Sequence, residues 1–525
     1  MNTNVADLLT TAAAQEPDKI ALSEAATGRT VTWGELDDLA NRIAHGLSSA
    51  GMVAGYRVMI VTTNRIEFVA TYLGVLRARM IAVPVNPRSA TGELVRTLAD
   101  SGARMVVADA STITMVRAAV TGLAEALESF GSEAGVNPRL VCIGTTLEPG
   151  ERSFDQLIAD HSAPVPVPDD PEAIAVLLYT SGTSGRPRAA MLSHRALVAN
   201  IEQAASVRPA MIKGTDVVLG VLPLFHVYGL NAVLGQVVRQ KARMVLVDGF
   251  DPEGSLDIIE DEAVSVVPAA PAVFAYWMQV PTLEDRLGPV RLVLSGSAPL
   301  APEVTAAFKE RTGIEIQQGY GLTEAAPIVT STLIGDHPGG SVGGALPGIA
   351  IRLVDEAGRP PENEDAGEIH LSGDNLFSGY WPDGADGPDA QGWWATGDVG
   401  YLDAGGNLFL VDRLKELVIV SGFNVYPSEV EDVINELDEV AQAAVIGAED
   451  DLTGEAVVAY VKPSPSASLE TIESVVREHC ADRLARFKQP TVIHIVEEIP
   501  MTYTGKIQKG RLRATERRRA LGLLE

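Results

Sequence analysis

Residues 173–188 read AIAVLLYTSGTSGRPR. An uninterrupted apolar run, AIAVLLY, stops in a segment of hydroxyls, glycines and cations. Thr180, Ser181, Thr183 and Ser184 bring hydroxyls, Gly182 and Gly185 remove side chains, and Arg186 and Arg188 flank Pro187. A strand that is apolar on both faces is covered on both faces, which points to a parallel sheet between helices. The same texture recurs in RVMIVT (57–62), MIAVPVN (80–86), MVVAD (105–109), RLVCIG (139–144), ARMVLVDG (242–249), VSVVPAA (264–270) and PVRLVLSG (289–296). Helical runs such as RIEFVATYLGVLRA (65–78) lie between them. The alternation predicts an α/β fold built on parallel-rich sheets with helices. Ligands in such folds gather beyond the carboxyl ends of strands, where YTSGTSG and SGSAPL (295–300) both stand.

From about residue 350 the pattern changes to short alternating strands, IAIRLVDEAGRP, GEIHLSG and GNLFLVD, with Gly or Asp turns. They predict a small antiparallel region, with PDGADGPDAQG (382–392) as an exposed polar loop. Mixed helix and strand return after residue 412. The expected organisation is a large N-terminal domain over 1–411 and a small, mobile α+β C-terminal domain over 412–525. No internal repeat or low-complexity tract interrupts it.

At 525 residues and 46% apolar composition, the chain has enough material for a large core and more than one domain. A formal charge of −28 repels polyanions, which argues against nucleic acid as a partner. Small anions remain open, because local cations decide their binding. Two cysteines, Cys142 and Cys480, form neither a metal-ligand pattern nor a disulfide framework, as expected in a reducing cytoplasm. The N-terminus shows no signal-peptide pattern. Residues 217–238 lack formal charge and are long enough to span a bilayer, but Pro223, His226, Gly229 and Asn231 break the run. A buried strand, a turn and a buried helix are expected there, with no transmembrane segment in a soluble, cytoplasmic protein.

Backbone N–H groups of a loop such as 180–188 can converge on phosphate oxygens, with Ser and Thr hydroxyls as further donors; the alternative is a flexible surface turn. Gly182 and Gly185 are three apart and no Lys follows, so the Walker A spacing is absent. The order of residues carries more. YTSGTSGRPRAAMLSH resembles the phosphate loop of the adenylate-forming superfamily, which includes acyl-CoA synthetases, coumarate-CoA ligases, luciferases and adenylation domains of peptide synthetases. The usual form there is Tyr-Thr-Ser-Gly-Thr-Thr-Gly-x-Pro-Lys-Gly. Here Ser184 replaces a Thr, Arg188 the Lys and Ala189 the Gly. Arg keeps the charge as a planar fork, and Ala189 excludes the left-handed backbone that glycine allows. Further similar segments follow in the family's order: PLFHVYG (223–229), SGSAPL, QGYGLTE (318–324), WWATGD (393–398), DRLKELVIVSGFNVYPSEVE (412–431) and PMTYTGKIQK (500–509).

The resemblance implies activation of a carboxylate by ATP to acyl-AMP and pyrophosphate, then transfer to a thiol, with ATP, Mg²⁺ and coenzyme A taking part. It places ATP against Thr180, Ser181, Gly182, Thr183, Ser184, Gly185 and Arg188, against Ser297, Ala298 and Pro299, and against Gln318, Gly319, Tyr320 and Thr323. Asp398 and Arg413 would serve ribose or phosphate, though each also fits a surface ion pair. Lys506 matches the catalytic lysine, and equally stands in a basic tail with seven Lys/Arg against two acids from 506 to 525. Glu324 is the candidate Mg²⁺ ligand; GLTEAAP also reads as a helix start capped by Thr323. His226 is a core residue on pattern alone, and by resemblance a gate between ATP and acyl sites. Val227, Gly229 and Gly321 join it in the acyl pocket. Lys415 matches a hinge, and Ser421, Gly422 and Phe423 the segment facing CoA. His194 is read as structural.

The leading function is an acid–CoA ligase acting on a fatty acid. The alternatives are transfer to a carrier protein, an aryl-acid (coumarate-like) ligase, and a nucleotide binder without turnover. Peripheral membrane contact and a homodimer are left open.

Overall fold

The computed structural model describes residues 3–129, 137–158, 160, 163–166, 169–180, 188–297, 300, 302–355, 358–361, 367–413, 418–425, 427–450, 452–465, 467–500, 507 and 509–520. Two seven-stranded sheets dominate it. The first runs in the order Arg152–Ser153, Arg139–Ile143, Met105–Asp109, Arg57–Val61, Ile81–Pro84, Ile174–Thr180, Arg188–Ser193. Its pairs are parallel except the last, a hairpin in which Thr180 faces Arg188. The second runs Ile316–Gln318, Leu292–Ser295, Val266–Ala269, Val217–Gly220, Arg243–Leu246, Ile20–Glu24, Thr30–Thr32, and only its final pair is antiparallel.

The continuous apolar runs have the expected cause. Val58 and Ile60 point into a core shared with Leu22, Val218, Met244 and Val266 of the other sheet. Met59 and Val61 point the opposite way, onto Leu94, Leu98, Ile113 and Val116 of the outer helices Thr91–Ser101 and Ile113–Ser129. On the far side of the second sheet, Leu219, Val245, Val267 and Val293 meet Leu256, Phe274, Trp277 and Phe308. Every residue of helix Ile66–Arg77 is buried, because it lies between the sheets. Each large apolar side chain taken out of water there contributes roughly 1.5–3 kcal/mol. Arg77 is kept inside by Asp37 at 2.6 Å and by Thr10 Oγ1 at 3.0 Å.

Residues 217–238 form the strand Val217–Gly220, a turn, and a wide helical segment Tyr228–Gly235 that continues as Gln236–Gln240. No helix among the described residues is long and apolar enough to cross a membrane. The antiparallel region is the four-stranded sheet Ala350–Val354, Gly367–Ser372, Trp393–Leu402, Leu408–Arg413. Beyond it, strands Phe423–Val425, Val418–Val420, Gly454–Pro463 and Val440–Asp450 form a further sheet, which Val492–Ile495 extends in parallel. Its core joins Val445 and Val457 to Val430, Ile434, Val476 and Cys480 of two covering helices. Cys142 and Cys480 are buried free thiols, pushed up by burial to about 11 and about 12.

Candidate active site

A cavity of about 320 Å³ opens where three parallel strands end, at Thr180, at Ser295 and at Gln318. That is the position the sheet topology assigns to a ligand. Its walls bring together Thr180, Arg188, Ser297, Gln318, Gly319, Tyr320, Thr323, Glu324 and Asp398 with His226, Val227 and Gly321. Residues scattered over more than two hundred positions of sequence therefore share one space.

The floor is the segment from Gln318 to Ile328, and its shape follows from close backbone approach. A Cβ on Gly319 would lie 2.4 Å from the Thr330 carbonyl oxygen, and one on Gly321 would lie 2.3 Å from that of Pro327. No side chain fits at those distances, so the strand can fold back on itself only at glycine. Three buried asparagines then hold the turn. Asn200 donates to Ile328 O at 2.7 Å and accepts from Ile328 N at 3.0 Å. Asn231 donates to Ala326 O at 2.7 Å, and Asn375 to Ala325 O at 2.7 Å. Thr323 opens a single tight turn, Thr323–Ala325, but Leu322 holds the capping position and makes no side-chain cap. The helix-cap reading of Thr323 is thereby corrected.

Two tyrosines address the acidic groups. Tyr320 donates to Asp398 Oδ2 at 2.7 Å, and Tyr380 donates to Glu324 Oε1 at 2.6 Å. Glu324 and Tyr380 are only 8% and 9% exposed. Asp398 faces Arg413 across the antiparallel ladder. Arg188 lies with its guanidinium 3.8 Å above the Tyr380 ring centre and pairs with Asp386 at 2.7 Å. Ala189 occupies a regular strand position opposite Tyr179, which needs no glycine.

The same lining includes an apolar set, Met211, Ile212, Val227, Tyr228, Ala232, Val233, Pro327 and Ile328. His226 lines the same cavity. It is partly open to the cavity yet deep beneath the protein surface, and burial holds its pKa down at about 4. Gly229 is not on the wall: a Cβ there would lie 2.3 Å from Pro223 O, so its role is packing. His194 is also elsewhere, with Asn4 Nδ2 3.0 Å from Nε2 and Val5 N 3.3 Å from Nδ1.

In the C-terminal sheet, the turn at Ser421 and Gly422 approaches the cavity's edge. A Cβ on Gly422 would lie 3.2 Å from that of Ala270 and 3.8 Å from that of Ser297. Phe423 stacks on Phe487 at 4.5 Å. Ser181, Gly182, Thr183, Ser184, Gly185, Ala298, Pro299, Lys415 and Lys506 lie outside the described residues, as does the Arg413 side chain. Sequence reasoning passed over Tyr380, Asn200 and Asn375; only Asn200, a polar side chain inside the apolar run ALVANI, carries the kind of signal that marked Asn231 as a breaker.

Comparison with known proteins agrees with this architecture. Residues 9–381 match the family described as AMP-binding enzyme, and residues 429–506 match the AMP-binding enzyme C-terminal domain. The chain is 33% identical to 4-coumarate–CoA ligase-like 9 of Oryza sativa subsp. japonica, over 94% of this chain and 90% of that one. It is 31% identical to a long-chain-fatty-acid–CoA ligase of Bacillus subtilis (strain 168), over 97% and 94%. Among solved structures, the amide bond synthetase McbA from Marinactinospora thermotolerans superimposes with a TM-score of 0.83 at 28% identity, covering 98% of this chain and 99% of that one. The chain belongs to the AMP-binding enzyme family, as an adenylate-forming acid–CoA ligase of the AMP-forming type.

Proposed function

We propose that this ligase activates an apolar carboxylic acid, a fatty acid first, at the cavity below Tyr320 and Glu324. The observation that carries the reading is the mixed lining of this one cavity. Acidic and basic groups, Glu324, Asp398 and Arg188, line it together with apolar ones, Met211, Ile212, Val227, Tyr228, Ala232, Val233, Pro327 and Ile328. His226, held neutral by burial, is assigned the gate between ATP and acyl group, where it adds no charge.

In the first step an oxygen of the substrate carboxylate attacks the α-phosphorus of ATP, and the bond to pyrophosphate breaks. In the second, a CoA thiolate attacks the acyl carbonyl, and AMP leaves. Asp398, which accepts a hydrogen bond from Tyr320, is assigned the ribose hydroxyls. Arg188 offers a cation to phosphate. Lys506 is assigned the charge developing between carboxylate and α-phosphate, where one well-placed donor stabilises the transition state by about 3–4 kcal/mol. Among the described residues no three His, Cys, Asp or Glu side chains converge on an ion. A magnesium that arrives on ATP suits this donor set, since phosphate oxygens and one carboxylate, Glu324, satisfy most of its positions. The Ser421–Phe423 turn, whose Gly422 comes close to Ser297 of the ATP side, is assigned to the thiol's approach, with residue 412 as domain boundary and Lys415 as hinge. The buried free thiols support a cytoplasmic setting.

Two further readings have specific support. The relatives named as coumarate ligases and the Tyr228 ring on the apolar wall favour an aryl acid. The likeness to McbA raises an amine as the acceptor. The test is a panel of straight-chain and aromatic acids with ATP, scored for thioester with CoA and for amide with simple amines. Pyrophosphate exchange without acceptor reports the first step alone. Thioester formation from straight-chain acids is expected. Exchange that no acid stimulates would sink the proposal, and aromatic acids alone would replace its substrate.

A further inference from the structure

We propose that Tyr380 is a positioning residue for the ATP-side chemistry, holding Glu324 and Arg188 in register through the two faculties of one neutral side chain. The inference rests on the reading of Glu324 as the carboxylate that meets magnesium-bound ATP. Its hydroxyl donates to Glu324 Oε1 at 2.6 Å, and its ring face carries the Arg188 guanidinium at 3.8 Å. All three side chains line the cavity.

The main chain around Tyr380 is tied to both partners, which sets it apart from a tyrosine that merely satisfies a buried carboxylate. Phe377 N donates to Glu324 O at 2.8 Å. Met191 N donates to Gly379 O at 3.0 Å and Trp381 N to Ala189 O at 2.9 Å, so the same short segment is stitched to the strand that begins at Arg188. Tyr380 N is itself bonded to Ala385 O at 2.9 Å, and Phe377 packs edge-on against the ring at 5.0 Å. The ring has little freedom to turn. With its Oε1 fixed by a hydroxyl, the Glu324 carboxylate has a set plane. With its flat face on an aromatic ring, Arg188 has a set direction. A tyrosine does both without adding a charge that would compete with phosphate.

The test uses Tyr380→Phe, which keeps the ring, and Tyr380→Leu, which loses ring and hydroxyl, with Glu324→Gln as reference. Calorimetric ATP binding is measured over a magnesium titration and again in excess chelator, with circular dichroism as a check of folding. Tyr380→Phe is expected to raise the magnesium needed for half-maximal ATP binding about tenfold, the worth of one hydrogen bond to a charged group, while chelated ATP binds as to wild type. Tyr380→Leu should weaken ATP binding with and without metal, because Arg188 loses its platform. If Glu324→Gln shifts the magnesium curve and Tyr380→Phe does not, the positioning role is overturned while the reading of Glu324 stands. If Glu324→Gln itself leaves the curve in place, both fall.

Discussion

At the scale of single residues, the site works by controlling charge. His226 and His194 both have their pKa lowered to about 4 by burial, below the value near 6.5 expected in the unfolded chain. Between those values the unfolded state binds more protons than the folded one, so stability rises with pH through the window and is lost on acidification. For His194, 3% exposed, the loss amounts to about 3 kcal/mol. At neutral pH His226 is therefore the uncharged imidazole, and the gate proposed for it between ATP and acyl group would act by shape and not by charge. We predict that pyrophosphate exchange between pH 6 and 8 runs parallel in wild type and His226→Asn. An inflection near 6.5 that disappears in the variant would show that the imidazole titrates in turnover. Arg188 shows what a departure from the family's lysine means physically. A lysine keeps the charge but has no plane to lay on Tyr380, so the two are not interchangeable where the ring sets direction.

At the scale of elements, the floor from Gln318 to Ile328 depends on backbone approach more than on side chains. We predict that Gly319→Ala, whose new methyl would meet the Thr330 carbonyl, costs about 1–3 kcal/mol of stability and weakens ATP binding more than acid binding. Urea unfolding with ATP titration checks both, and unchanged affinity would detach this turn from the nucleotide. The strands that frame it were legible in the sequence because burial on two faces forces a simple pattern: Val58 and Ile60 one way, Met59 and Val61 the other. The glycines, Glu324 and Asp398 were legible through the order of their motifs. Tyr380, Asn200 and Asn375 were not. Tyr380 and Asn200 meet their partners 56 and 128 residues away, and one polar letter does not say which carbonyl or carboxylate the fold will bring to it. Gly229 failed for the converse reason: neighbouring the pocket in sequence, it spends its missing side chain on Pro223.

At the scale of the molecule, the C-terminal sheet is joined to the rest by buried charge. Lys488 reaches Glu429 of its own unit at 2.8 Å and Glu93, on the outer helix Thr91–Ser101, at 3.2 Å. Burial alone would lower the lysine's pKa, but the two carboxylates outweigh it and hold it above the ordinary value. While the two carboxylates are ionised, its contribution is therefore full below the unfolded lysine's pKa, near 10.4, and is lost as pH climbs past the raised folded value. We predict that Lys488→Met, which strands two buried carboxylates, costs about 3–5 kcal/mol. Glu93→Gln keeps the pair inside the C-terminal unit, so it should leave the melting temperature nearly unchanged while speeding tryptic cleavage at residues 413–415. Equal cleavage in wild type and Glu93→Gln would remove the idea that this contact fastens the units together. The stacked Arg188 carries one more consequence, in nucleophilicity. An acyl adenylate is a mixed anhydride, an acylating agent released inside the protein that makes it. The chain carries thirty-two arginines against nine lysines. A guanidinium stays protonated and has no lone pair to offer, so Arg188 on this cavity's wall is no target for acylation by such an intermediate.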